Sequence, residues 1–130
     1  MQGIKSEFGG CLREFKLNDK KFDDTGREVG TVPCSQYSEE GIYFAKDGGY
    51  AVVNPNFVLG QSLSIELEMK PRTKNAVLLS VGVLEYLTLQ IINGTIKFSV
   101  DNGAGVESVI FDPPTSSAIC DGHWHQIKVE

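Results

Sequence analysis

Leu87-Thr88-Leu89-Gln90-Ile91-Ile92-Asn93-Gly94-Thr95-Ile96-Lys97-Phe98-Ser99-Val100 is the stretch that decides the fold class. Leu87, Leu89 and Ile91 alternate with Tyr86, Thr88 and Gln90; after the Asn-Gly pair, Ile96, Phe98 and Val100 alternate with Thr95, Lys97 and Ser99. A period of two puts every second side chain on one face of an extended strand. Asn93-Gly94 supplies two residues that accept the positive φ of a tight turn, so the two runs read as an antiparallel hairpin with an exposed tip.

The same alternation recurs outward from this hairpin. Leu63, Ile65, Leu67 and Met69 share one face of a strand whose other face carries Ser64, Glu66, Glu68 and Lys70. Shorter strands are expected at Leu12 to Leu17, Ile42 to Phe44, Tyr50 to Val53, Val77 to Val81, Val106 to Phe111 and Trp124 to Val129, each bounded by turn-forming residues. No segment has helical periodicity, which points to an all-β sandwich or barrel. Asp19 to Gln36 is polar, holds Gly26, Gly30 and Pro33, and lacks alternation, so it reads as a linker with a boundary near Cys34.

The chain has 130 residues, enough for one ordinary domain or a short junction between two, and too few for two complete domains of average size. Its 12 basic residues stand against 17 acidic ones, a formal charge of -5 that argues against a nucleic-acid surface. Residues 1–34 are neutral, so the whole excess lies in 35–130, a first mark of two segments. No apolar run is long enough for a membrane-spanning helix, and no signal peptide is recognisable at the N-terminus.

Cys11, Cys34 and Cys120 have no zinc-finger spacing. Spacing alone leaves two readings open: three reduced thiols, or a loop closed between Cys11 and Cys34 in an oxidising compartment. Cys120, His123 and His125 could offer a thiolate and two imidazoles to zinc, without a fourth ligand at motif spacing. Glu66 and Glu68, two apart on a polar strand face, are where a sandwich glycosidase could place its two carboxylates, although a solvated face gives the same pattern. Lys70, Arg72 and Lys74 surround Pro71 in an expected loop and form the candidate polyanion-binding cluster. Asn93-Gly94-Thr95 is also an N-glycosylation sequon.

Two ends of the chain carry a family resemblance. Phe8-Gly9-Gly10-Cys11-Leu12-Arg13-Glu14-Phe15-Lys16-Leu17 resembles the closing strand of a laminin G-like module, and Asp121-Gly122-His123-Trp124-His125-Gln126-Ile127-Lys128-Val129 is similar to a later strand of one. The tandem G modules of laminin α chains are the most similar. The resemblance implies an antiparallel β-sandwich, a laminin G-like or concanavalin-like jelly roll, cut short. Residues 1–34 are then the tail of one module with its linker, and 35–130 the first part of the next. It also implies a disulfide between Cys11 and Cys34, and a calcium site using Glu85 and the carbonyl of Asn102.

Function follows as an expectation. The resemblance implies a non-catalytic, secreted adhesion module of basement membrane, part of a laminin heterotrimer, that binds dystroglycan, integrins and heparan sulfate. Two alternatives stand beside it: a concanavalin-like enzyme acting on polysaccharide through Glu66 and Glu68, and a G module of another secreted protein of agrin, perlecan or neurexin type.

Overall fold

The computed structural model describes residues 7–22, 26–33, 40–58 and 60–130. Within them every regular element is a strand and every assigned pairing is antiparallel. The strands are β1 (Gly10–Leu17), β2 (Lys20–Lys21), β3 (Arg27–Val29), β4 (Thr31–Pro33), β5 (Ile42–Phe44) and β6 (Tyr50–Val52). They continue as β7 (Ile65–Pro71), β8 (Ala76–Gly82), β9 (Tyr86–Ile92), β10 (Thr95–Asp101), β11 (Val106–Phe111) and β12 (His125–Val129). The described residues divide into two compact units, Gly9–Lys70 with His123–Glu130, and Pro71–Gly122 with Glu7 and Phe8.

The first unit holds a sheet in the order β12-β7-β1-β5-β4, with β2 paired to β1, and a small β3-β6 ribbon. In β7 the alternation acts as read: Ile65, Leu67 and Met69 are fully buried while Glu66 and Glu68 are half-exposed. Each of those apolar side chains contributes about 1.5–3 kcal/mol relative to an exposed position. Leu63 precedes the strand and is only half-buried.

Parts of the stretch read as a linker without strands, Asp19 to Gln36, are strand. Asn18 and Asp19 adopt φ of 48° and 62° and close a two-residue turn, so Leu17 faces Lys20 across a β1–β2 hairpin. Arg27–Val29 pairs with β6, and Thr31–Pro33 pairs with β5, which itself pairs with β1. Backbone hydrogen bonding satisfies this polar segment where alternation does not reveal it. Gly30 permits the tight crossing: at φ +69°, an added Cβ would lie 2.4 Å from the Gly48 carbonyl oxygen. Strands thus pair across the position expected as a boundary, and Cys34 itself lies outside the described residues.

The second unit is a four-stranded sheet in the order β11-β10-β9-β8. Its centre is the decisive hairpin, with Ile92 facing Thr95 and Tyr86 facing Asp101. Asn93 and Gly94 have φ of 51° and 84°, the left-handed pair a type I′ turn needs. Strand β9 departs from half-burial: Leu87, Leu89 and Ile91 are fully buried, and Thr88 and Gln90 are buried as well. A central strand is covered on both sides, and alternation of residue type then overstates exposure. The hairpin tip is also less open than expected, because Asn93 is exposed but Gly94 is buried. Strand β11 is the sheet edge and is exposed at all six positions.

Candidate functional site

Three groups of residues carry functional candidates. The first is the polar face shared by β1, β7 and β12. Arg13 Nε donates to Glu68 Oε2 at 2.6 Å, and its guanidinium sits 3.9 Å from the Trp124 ring centroid. Lys16 Nζ donates to Glu66 Oε1 at 3.2 Å, and Gln126 Nε2 donates to the same oxygen at 2.7 Å. β7 lies between β1 and β12, so its two carboxylates meet cations from one neighbour and an amide from the other. Both are held in cross-strand pairs as charge acceptors.

The second group is the basic cluster. Lys70 lies in β7 rather than in the expected loop, whereas Arg72 and Lys74 occupy the β7–β8 connection and are exposed. Lys74 Nζ donates to Ser116 Oγ at 3.1 Å. The same connection fixes the hairpin tip: Asn75 Oδ1 accepts from Asn93 N at 2.9 Å, and the Lys74 carbonyl accepts from Gly94 N at 2.9 Å. Asn93, the sequon position, is held by its backbone with its side chain exposed, and Thr95 Oγ1 donates to Asp112 Oδ1 at 3.0 Å.

The third group is the opposite end of this sheet. The register aligns Gly82, Tyr86, Asp101 and Val106 across the four strands, so the β8–β9 and β10–β11 turns emerge side by side. Glu85 stands in the first and Asn102 in the second, so the sequence-expected calcium ligands do share one rim. Asp101, the last residue of β10, stands on the same rim, and calcium takes six to eight oxygens. Among the described residues no three His, Cys, Asp or Glu side chains form a metal-holding group. The zinc set Cys120, His123 and His125 is therefore not assembled.

Cys11 is disulfide-bonded and Cys120 is a free thiol; Cys34 lies outside the described residues. Cys120 Sγ donates to the Thr73 carbonyl at 3.1 Å. Burial pushes its pKa up; the nearby Lys74 charge opposes the shift, and Asp121 adds to it. The Arg13–Glu68 and Lys16–Glu66 pairs were not readable from the sequence, being 55 and 50 residues apart.

An antiparallel all-β protein is the class that the fold defines, and residues 69–130 match the Laminin G domain family. These residues belong to that family, whose fold is the β-sandwich jelly roll expected from the sequence. Among curated proteins, the chain is 30% identical to laminin subunit alpha-1 of Homo sapiens over 129 residues, 96% of this chain and 4% of the relative. It is 32% identical to laminin subunit alpha-4 of Mus musculus over 125 residues, 94% of this chain and 7% of the relative. A shorter match, 37% over 79 residues, covers 60% of this chain and 2% of the Fat-like cadherin-related tumor suppressor homolog of Drosophila melanogaster. The chain thus spans well under a tenth of the length of these relatives. No solved structure matches.

Proposed function

We propose that this chain is a non-catalytic, extracellular-matrix adhesion module of laminin α type, secreted to basement membrane as part of a laminin heterotrimer. The carrying observation is similarity to laminin subunits over more than nine-tenths of the chain. Dystroglycan, integrins and heparan sulfate are the proposed partners. Lys70, Arg72 and Lys74 supply the positive charge for a sulfated glycan, and a glycan of the chain's own is proposed at Asn93. The pairing of Cys11 with Cys34 belongs to the same reading, since a secreted module retains its disulfides.

Immobilised heparin and purified receptor ectodomains test the proposal directly. The chain should be retained on heparin, and replacing Lys70, Arg72 and Lys74 with Ala should shorten that retention. Added salt should shorten it further, because counterions screen exposed charge within about 10 Å at 0.1 M. Retention equal for both proteins at low salt would remove the cluster from the binding surface. Release of reducing sugar from matrix polysaccharide, abolished by Glu68→Gln, would instead establish the enzyme reading.

A further inference from the structure

We propose that Asn102 is a self-modifying position, losing its side-chain amide as ammonia when the backbone nitrogen of Gly103 attacks its Cγ, and leaving a new carboxylate on the Glu85 rim. The chain contains two Asn-Gly pairs that the fold holds differently, Asn93-Gly94 and Asn102-Gly103. Glycine following asparagine matters because no side chain hinders its nitrogen from reaching the asparagine Cγ.

At Asn102 the side-chain amide and the following peptide share one exposed turn. Asn102 Oδ1 accepts from Ala104 N at 3.2 Å, which curls the side-chain amide back over the Gly103 peptide. That donor also polarises the amide carbonyl in the direction in which negative charge develops on attack. Gly103 N–H points at Asp101 Oδ1 at 2.9 Å, giving the departing proton an acceptor. Asn102, Gly103 and Ala104 are exposed, and a Cβ built on Gly103 would find only Glu85 Oε1, at 3.7 Å. The turn has room to close a five-membered ring.

At Asn93 the same chemistry is blocked. Gly94 N–H is engaged by the Lys74 carbonyl, and Gly94 is buried beneath the Ser116 carbonyl oxygen, 2.0 Å from where a Cβ would stand. Asn93 N is tied to Asn75. Moving the Gly94 nitrogen onto Asn93 Cγ would break its bond to Lys74 within packed surroundings, whereas Gly103 gives up its bond to Asp101 in the open.

The reaction balances with water alone. A bond forms between Gly103 N and Asn102 Cγ, and the glycine proton leaves along its hydrogen bond toward Asp101 and solvent. The Cγ–NH2 bond breaks and ammonia departs with a proton from solvent, leaving a cyclic imide. Water then opens either imide carbonyl, giving aspartate or its isopeptide isomer and one further negative charge on a rim that already holds Glu85 and Asp101.

Peptide mapping by mass spectrometry of the unglycosylated chain, aged at neutral pH, tests this. Amide-to-acid conversion at Asn102 should exceed that at Asn93 at least about tenfold, within the ~10²-fold that a small misplacement of reacting atoms costs. In denaturant the two should convert at similar rates, which assigns the difference to the fold. Gly103→Ala should suppress conversion at Asn102, and unchanged far-ultraviolet dichroism would show that the variant is folded. Should that variant lose its β signal, the native-to-denatured comparison in the parent chain decides alone. Equal conversion at both sites in the native chain, or an amide retained at Asn102, overturns the proposal.

Discussion

Arg13 on β1 and Glu68 on β7 are joined by an Nε–H to Oε2 hydrogen bond of 2.6 Å, with side chains only 30% and 27% exposed. The guanidinium spans two neighbours, since its face also lies against Trp124. Fifty-five residues separate the pair in sequence. Its existence depends on β1 lying beside β7, so the ion pair reports that this sheet has formed.

Arg13→Ala should therefore lower stability by about 1 kcal/mol, combining a part-exposed ion pair with a cation–π contact. Arg13→Lys should recover only part of that, because an ammonium lacks the flat face that stacks on Trp124. Urea denaturation of the three proteins measures both steps. An alanine variant as stable as the parent would mean that the contact adds nothing in solution.

The hairpin tip gives a steeper expectation. Gly94→Ala places a Cβ 2.0 Å from the Ser116 carbonyl oxygen and forces φ +84° on an alanine, at a cost of roughly 1–3 kcal/mol. Asn93→Ala, at an exposed position with φ 51°, should cost about 1 kcal/mol. Thermal melts of both variants should rank Gly94→Ala as the more damaging. The reverse order would place the constraint in the Asn93 side chain instead.

Cys120 makes a prediction about pH. Its raised pKa means that the native state holds the thiol proton more firmly than the unfolded chain does. The associated stability is complete below the unfolded thiol's value of about 8.5 and is lost as pH rises through the folded one. At mildly alkaline pH, iodoacetamide should label Cys120 more slowly in the native protein than in urea, because the thiolate is the reactive form. Equal labelling rates would show that burial does not protect it. Mapping of the same samples should find Cys11 linked to Cys34, and a bridge to Cys120 would sink that pairing.

Local pattern and chain-distant geometry divided what could be read in advance. The Asn93-Gly94 hairpin was legible because both flanking runs alternate and both turn residues tolerate positive φ. The Asn18-Asp19 hairpin uses the same turn chemistry, yet Lys20 and Lys21 bring no apolar pattern and the segment passed as linker. Burial of Thr88 and Gln90 escaped because it depends on coverage of both sides of β9, a tertiary property. The candidate carboxylates Glu66 and Glu68 were correctly placed on a polar face, but their partners Arg13, Lys16 and Gln126 come from two other strands. Neither the Asx turn at Asn102 nor the shielding of Gly94 has a signature in residue order.

Strand β11 leads to the last prediction. It is the outer strand of the β11-β10-β9-β8 sheet, and Val106, Val109, Ile110 and Phe111 are 55%, 71%, 61% and 61% exposed. An edge strand presents unpaired backbone N–H and C=O groups on its outer side, and proteins commonly guard such edges with Lys, Pro or a bulge. Here the six residues contain neither Lys nor Pro, Glu107 is their only charge, and the pairing with β10 runs without a register shift from Asp101–Val106 to Ile96–Phe111. Edge and apolar surface together favour strand-to-strand association of this chain, so light scattering should rise with concentration. Val109→Lys should suppress that rise while leaving the melting temperature nearly unchanged, since Val109 is largely solvated and little burial is lost. If Val109→Lys associates as readily as the parent, the contact does not run through β11. If it melts far lower, Val109 contributes to the fold in a way its exposure does not indicate.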